Sequence, residues 1–292
     1  MDLKYKLSIG TAQFGLDYGI NNSSGKISKE EIARILHYCH KESIIMLDTA
    51  QTYGDAELNI GSIIEHEKLQ NRFKFITKLS TNSIDHIERS VKGSLERLQC
   101  QNIQGVLYHN FESFQNHAAS ILILEQMKKK GIIQKIGFSL YHPKQLDFLI
   151  DNKILFDVIQ VPYNLFDRRF EPYFSQLNSN GIEVHVRSIF LQGLFLMELE
   201  TLPPWFAKIR GKLQVILQLA DSLKITLSSL CLNFGLLNKH IDKVIIGIDN
   251  LGQLKSNVAS GKETDIVLSS YSDLLLMEEK DENIILPYLW KL

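Results

Sequence analysis

Eight short apolar runs recur along this chain, and each is followed by a longer stretch with helical periodicity. The runs fall at residues 7–10, 44–48, 73–78, 103–109, 132–138, 158–161, 182–186 and 244–246. The helical stretches fall at 29–40, 56–66, 84–98, 120–130, 144–150, 171–179, about 206–237 and 251–260. Ser28 stands where it can cap the first helix, and Thr81-Asn82-Ser83 lead into the third. The runs are apolar at successive positions, as strands buried on both faces must be. Strict alternation of strand and helix implies a parallel sheet. Eight such units in 292 residues predict a closed (β/α)8 barrel rather than an open, doubly wound sheet. No GxGxxG follows any strand; Gly10-Thr11-Ala12-Gln13-Phe14-Gly15 has the wrong spacing for a dinucleotide fingerprint. The expected organisation is one barrel domain over residues 1–292, with 262–292 as a C-terminal extension. In that extension a helix is expected around 272–280, either packing outside the barrel or folding over its mouth.

Composition narrows the partners. Lys plus Arg number 32 and Asp plus Glu 33, so no charge excess favours nucleic acid or an anionic membrane. Cys39, Cys100 and Cys231 are far apart and lack metal-ligand spacing, which predicts free, mostly buried thiols and no metal. The first ten residues alternate polar and apolar, unlike a signal peptide, and no uninterrupted apolar stretch reaches the ~18 residues of a membrane span. A cytoplasmic location is expected, and Asn21-Asn22-Ser23 then reads as a turn. Oligomeric state is not legible.

In a barrel of this kind, function gathers at the C-terminal ends of the strands. The second strand leads into Asp48-Thr49-Ala50-Gln51-Thr52-Tyr53-Gly54, the third ends in Thr77-Lys78 and the fourth in Tyr108-His109. Burying Asp and Lys at apolar strand ends is costly unless they pair, so an Asp48–Lys78 ion pair is expected. Such a group can serve the proton-transfer half of a carbonyl reduction. The reaction needs hydride at carbon and a proton at oxygen, and a tyrosine with an ordinary pKa near ~10 is a poor acid at neutral pH. A nearby ammonium favours the phenolate; two unit charges ~4 Å apart interact by roughly 4 kcal/mol at an effective dielectric of 20, the equivalent of more than two pKa units before desolvation opposes it. Tyr53 is then the general acid, Lys78 its tuner, Asp48 the anchor of Lys78, and His109 a hydrogen-bonding partner for the substrate oxygen. The other histidines, His185 among them, read as surface or helix-face residues.

Asp48, Tyr53, Lys78 and His109 resemble the catalytic set of the aldo-keto reductases in order and strand placement, and residues 48–54 resemble that family's Asp-Thr-Ala-x-x-Tyr-Gly signature. The resemblance runs from Gly10 to Asn257. It implies an NAD(P)-dependent oxidoreductase acting on a small-molecule aldehyde or ketone. The opening segment 10–19 is similar to bacterial members associated with sugar or surface-polysaccharide metabolism. The resemblance also implies cofactor positions: Ser139 and Gln160 at the nicotinamide carboxamide, Arg187 and Ser188 at the start of a loop over the pyrophosphate, and Gly247, Asp249, Gln253 and Asn257 at the adenosine end. A helix start there offers free N–H groups. The family often has an aromatic residue where Arg187 stands, and a guanidinium can stack in its place. NADPH, the family's usual cofactor, is the expected one. NADH is the alternative, because Gly247 and Gln253 occupy positions where many members carry Lys and Arg, and Asp249 adds a carboxylate; Lys255 could still reach a phosphate. Phe14, Tyr18, Phe111, Tyr141, Phe190 and Trp290 are the expected mouth residues. A non-catalytic, cofactor-binding regulatory protein on the same barrel is the competing class.

Overall fold

The computed structural model describes residues 3–20, 22, 25–80 and 84–291. The lead-in Thr81-Asn82-Ser83, and Asn21 and Ser23 of the expected turn, lie outside the described residues. Eight parallel strands close in sequence order: β1 (Leu7–Gly10), β2 (Met46–Asp48), β3 (Lys74–Leu79), β4 (Gly105–Tyr108), β5 (Ile136–Ser139), β6 (Val158–Pro162), β7 (Glu183–Arg187) and β8 (Lys243–Gly247). Ile9 and Gly10 pair with Leu47 and Asp48 on one side and with Ile246 and Gly247 on the other, which completes the barrel.

Side chains alternate across each strand. One set points into the barrel, where Met46, Ile76, Leu107 and Val158 form a compact apolar layer of their own. The other set, including Ile9, Leu47, Phe75, Val106, Phe138, Ile159, Val184 and Ile246, belongs to the main core. That core is the seam between the strands and the surrounding helices α1 (Lys29–Lys41), α2 (Ala56–His66), α3 (Ile84–Leu98), α4 (Phe111–Asn116), α5 (Ile121–Lys129), α6 (Pro143–Asp151), α7 (Glu171–Ser179), α8 (Arg210–Leu223), α9 (Leu227–Leu237) and α10 (Leu251–Ser260). α1 shows the local logic. Ser28 Oγ accepts from the Glu31 N–H at 3.2 Å, and Ile32, Ile35, Leu36 and Cys39 bury one helical stripe.

Several expectations need correction. The helical stretch at 206–237 is a 3-10 segment (Pro204–Ile209) followed by α8 and α9, which meet at 91°. Lys224 takes a left-handed φ of 58° to end α8, and Thr226 Oγ1 accepts from the Ser229 N–H to start α9. Both helices bury apolar faces, so periodicity alone runs through the break. α4 was not expected; Asn110 Oδ1 caps it, accepting from Ser113 N–H at 2.7 Å. In the tail, α11 (Thr264–Leu268), α12 (Tyr271–Leu275) and α13 (Glu282–Ile285) replace the helix expected at 272–280. The chain leaves helical geometry after Leu275 because Glu278 and Glu279 turn to ion-pair with Arg168 and Lys212. His185 is not a surface residue. It lies on the same strand face as Arg187, is 1% exposed, and places Nε2 3.3 Å from Glu183. Cys39 and Cys231 are buried and Cys100 half-buried, all with free thiols. Among the described residues, no single helix is long and apolar enough to cross a membrane.

Candidate active site

The stagger of the barrel brings Asp48 and Lys78 together. Asp48 is in register with Ile76, so Lys78 stands two residues further along β3 on the same face. Its Nζ donates to Asp48 Oδ1 at 2.6 Å and to the Thr49 carbonyl at 2.9 Å, and lies 3.5 Å from Tyr53 Oη. The second carboxylate oxygen of Asp48 accepts from Gln160 Nε2 at 2.6 Å. The expected ion pair is therefore present, buried, and hydrogen-bonded on both partners. Burial pushes the Lys78 ammonium down, but Asp48 and Tyr53 outweigh it, and its pKa ends above the ordinary lysine value. Lys78 is a permanent cation beneath the tyrosine hydroxyl, its Nζ 5.0 Å from the Tyr53 ring centre.

Tyr53 owes its position to a backbone contact that motif matching does not show. Gly54 has a φ of 53°, and a Cβ there would meet the Gly15 carbonyl at 2.5 Å. A Cβ on Gly15 would meet the Tyr53 carbonyl at 1.9 Å. Only glycines let the loops after β1 and β2 approach this closely. Asn59 of α2 fastens the contact by donating to the Phe14 carbonyl at 2.8 Å. His109, just past β4, meets the Tyr53 ring edge-on with centroids 6.1 Å apart, and its Nδ1 is 3.2 Å from Thr52 Oγ1. Burial, then the charges of Lys78 and Arg187, push its pKa down to about 4. The imidazole is therefore neutral at pH 7. The Thr52 hydroxyl can donate to Nδ1, and in that arrangement the ring's remaining proton is on Nε2.

One cleft of about 320 Å³ is lined by Asp48, Tyr53, Lys78, His109, Ser139, Gln160, Arg187, Ser188, Gly247, Asp249, Gln253 and Asn257. All twelve residues singled out in the sequence thus share it, along with Tyr18, Tyr141 and Phe190 of the expected mouth. The remaining mouth residues go elsewhere. Phe14 is fully buried, Phe111 packs with Phe114, Phe138 and Phe148, and Trp290 packs on Phe206. Lys255 does not line the cleft either; its Nζ lies 5.8 Å from the Tyr38 ring centre.

At the far end, the start of α10 is already engaged. Asn250 Oδ1 accepts from Gln253 N–H at 2.9 Å, and Glu31 Oε1 from Leu251 N–H at 2.7 Å. Gln253 holds Asp249 twice: its Oε1 accepts from the Asp249 N–H, and its Nε2 donates to Oδ2. Between the two ends, the loop after β7 takes left-handed φ values at Ser188 (62°), Leu191 (47°), Gln192 (53°) and Gly193 (93°). Gln192 Nε2 reaches the Tyr18 hydroxyl at 3.1 Å, joining the loops after β7 and β1. Sequence reasoning missed Gln13, Glu31, Thr52 and Gln192. Each is a loop or helix residue whose role comes from a partner at least 57 positions away, and no local pattern carries that.

Comparison with known proteins bears on the fold and the family. A Bacillus subtilis (strain 168) protein named uncharacterized oxidoreductase YqkF is 23% identical over 279 residues, covering 87% of this chain and 90% of that protein. Aldo-keto reductase AKR11C1 from Bacillus halodurans, solved in a holo form, superposes with a TM-score of 0.71 at 22% identity, covering 90% of this chain and 91% of the other. PA4992 from Pseudomonas aeruginosa, described as a candidate aldo-keto reductase, gives a TM-score of 0.67 at 21% identity over 89% and 90% of the two chains. At these identities the superpositions establish a shared fold. The sequence model of the Aldo/keto reductase family matches residues 6–274, the whole barrel and the first part of the tail, and the chain belongs to that family of oxidoreductases.

Proposed function

We propose that the cleft binds a reduced nicotinamide dinucleotide and reduces the aldehyde or ketone group of a small molecule, with Tyr53 as proton donor. The observation that carries this reading is the Tyr53 hydroxyl, 3.5 Å from a buried ammonium that Asp48 fixes at 2.6 Å. When bound, a reduced nicotinamide supplies hydride to the carbonyl carbon. Tyr53 gives its proton to the carbonyl oxygen, and Lys78 stabilises the phenolate left behind. Neutral His109 orients the same oxygen from the other side. Solvent at the open mouth returns the proton to Tyr53. In the reverse direction Tyr53 is the base.

The donor set fits the dinucleotide. Gln160 spends its amide N–H on Asp48, which leaves its carbonyl to accept from the carboxamide, with Ser139 beside it in register. The left-handed loop from Ser188 suits a pyrophosphate, because turns of this kind gather backbone N–H groups into a concave anion site. Gly247, Asp249, Gln253 and Asn257 receive the adenosine end. There the groups favour NADH over the family's more usual NADPH. Asp249 and Glu31 put carboxylates at the start of α10, Arg34 is already bonded to Glu31, and Lys255 is turned toward Tyr38. A 2′-phosphate would meet like charge, whereas ribose hydroxyls can donate to a carboxylate.

The test is carbonyl-dependent oxidation of NADH by the wild-type chain and by Tyr53→Phe. Turnover should fall at least about 100-fold in the variant, the usual size of a general-acid contribution, while fluorescence titration still shows NADH bound. Near-normal rates in Tyr53→Phe would remove Tyr53 as the acid. Cofactor binding without turnover of any carbonyl would instead support a regulatory protein on the same barrel.

A further inference from the structure

Arg187 is the one cation lining the cleft that has no carboxylate partner among the described residues. The cleft holds two carboxylates, and both are occupied: Asp48 by Lys78 and Gln160, and Asp249 by Gln253 and Gln13. Among the described residues no carboxylate pairs with Arg187. Its guanidinium makes one hydrogen bond among the described residues, from Nη2 to the Leu140 carbonyl at 3.1 Å, and its Cζ sits 4.1 Å from the Tyr141 ring centre. That leaves most of its five N–H donors without a protein acceptor. A half-buried guanidinium without a counterion costs free energy, so the fold keeps it at some expense.

The support beneath it is built. The Tyr141 ring is flanked by Tyr288 of the tail, with centroids 5.1 Å apart at 86°. Arg169 Nη2 donates to the Tyr141 carbonyl at 3.1 Å, and His142 is 2.8 Å from the Tyr288 hydroxyl. One face of the guanidinium thus rests on the Tyr141 ring in a cation–π contact. Its charge reaches the reacting groups, being one of the two cations that hold His109 neutral. A cation stacked on the nicotinamide would be a poor replacement for the family's aromatic ring, because the ring turns cationic once hydride has left.

We propose that the carbonyl substrate carries an anionic group, a carboxylate or a phosphate, and that Arg187 is the residue that binds it. This rests on the reductase reading above and narrows its substrate class. A planar fork of donors pairs with two oxygens of either anion at once, which fixes the substrate's orientation as well as its charge. The tail then acts as a positioning element for specificity, through Tyr288 and Tyr141.

The experiment compares matched probes: butanal against 4-oxobutanoate, and glyceraldehyde against its 3-phosphate, each with NADH. Wild-type protein, Arg187→Gln and Arg187→Lys are compared by kcat/KM, and NADH affinity is measured separately by fluorescence. The wild-type chain should prefer the charged member of at least one pair. The ratio of charged to neutral should drop about 100-fold in Arg187→Gln, the scale expected when one partner of a charged hydrogen-bonded pair is removed. Arg187→Lys should recover part of the ratio. The pair that responds tells carboxylate from phosphate. Equal use of charged and neutral probes by the wild-type chain would overturn the proposal while leaving the reductase reading intact. So would an Arg187→Gln variant that loses NADH affinity with the ratio unchanged, since Arg187 would then serve the cofactor. Reduction of no probe, charged or neutral, would remove the reductase reading and the proposal with it.

Discussion

At the scale of single residues, Asp48 and Lys78 form a pair whose members depend on each other. Lys78 is 1% exposed and Asp48 5% at the side chain. Removing one partner of such a pair leaves a buried charge, which typically costs about 3–5 kcal/mol. Lys78→Met should therefore lower unfolding stability by about that amount as well as abolish turnover. Asp48→Asn combined with Lys78→Met should regain part of the stability and none of the activity. Urea denaturation of the single and double variants measures this, and additive losses would show that the two groups do not act as a pair. The pair was legible in the sequence because strand ends place ionisable groups at fixed spacing, and isolated charges cannot be buried there. The glycine contact that aims Tyr53 was not legible. Gly15 and Gly54 are 39 positions apart, and although each sits in a recognisable segment, neither segment shows that the two meet. His185 was misread for a related reason. A histidine on an apolar strand has the same local sequence whether it faces the barrel interior or the solvent, and the distinction rests on its contact with Glu183.

At the scale of elements, the proposed preference for NADH rests on the start of α10. A helix N-terminus attracts phosphate through free N–H groups and its dipole. Here Glu31 of α1 has taken the Leu251 N–H and Asn250 the Gln253 N–H. The Glu31 carboxylate thus already takes one of the N–H groups that the start of α10 would otherwise offer to an anion. NADH should bind at least about tenfold more tightly than NADPH, a difference of about 1.4 kcal/mol. Glu31→Gln with Asp249→Asn should narrow the gap by weakening the repulsion of the phosphate. Equal binding of the two nucleotides by the wild-type chain would show that Arg34 or Lys255 leaves its present partner to hold the phosphate. The secondary elements themselves were largely legible, since short continuous apolar runs mark buried strands and a 3.6-residue period marks the helices between them. The α8–α9 turn was not, because both helices continue one apolar pattern across it. The short α4 was also missed: its cap at Asn110 lies within what reads as a strand-end motif.

At the scale of the whole molecule, the barrel carries proton-linked strain that favours neutral pH. His109 is neutral in the fold, with its pKa pushed from 6.5 to about 4 by burial first and then by the neighbouring cations. The unfolded chain would take up a proton near the ordinary value, so it binds more protons than the fold between about 6.5 and 4. Stability must therefore fall as pH drops through that window. Glu183 acts in the same direction and further into acid. Its hydrogen bond from His185 and its contact with Lys135 outweigh burial and hold its carboxyl down to about 2. Its contribution is complete above the ordinary glutamate range and lost as pH falls toward that value. The melting temperature should decline steadily below about pH 6, and His109→Gln should flatten the upper part of that decline. A melting temperature unchanged between pH 7 and pH 4 would contradict both assignments. The barrel as a whole was legible from eight repeats of strand and helix. The tail's course over Tyr141 was not, because its anchors, among them Trp205 Nε1 to the Asn283 carbonyl at 3.0 Å, join distant segments.

The most direct test of the central claim follows the hydride itself. Protein is mixed with an aldehyde and NADH carrying deuterium at both C4 positions, and the alcohol is analysed by mass spectrometry. Wild-type protein should place one deuterium on the former carbonyl carbon, and Tyr53→Phe, with NADH still bound, should yield almost no labelled alcohol. Labelled alcohol formed as fast by Tyr53→Phe as by the wild-type chain would contradict the role given to Tyr53, and none formed by either would contradict the reductase itself.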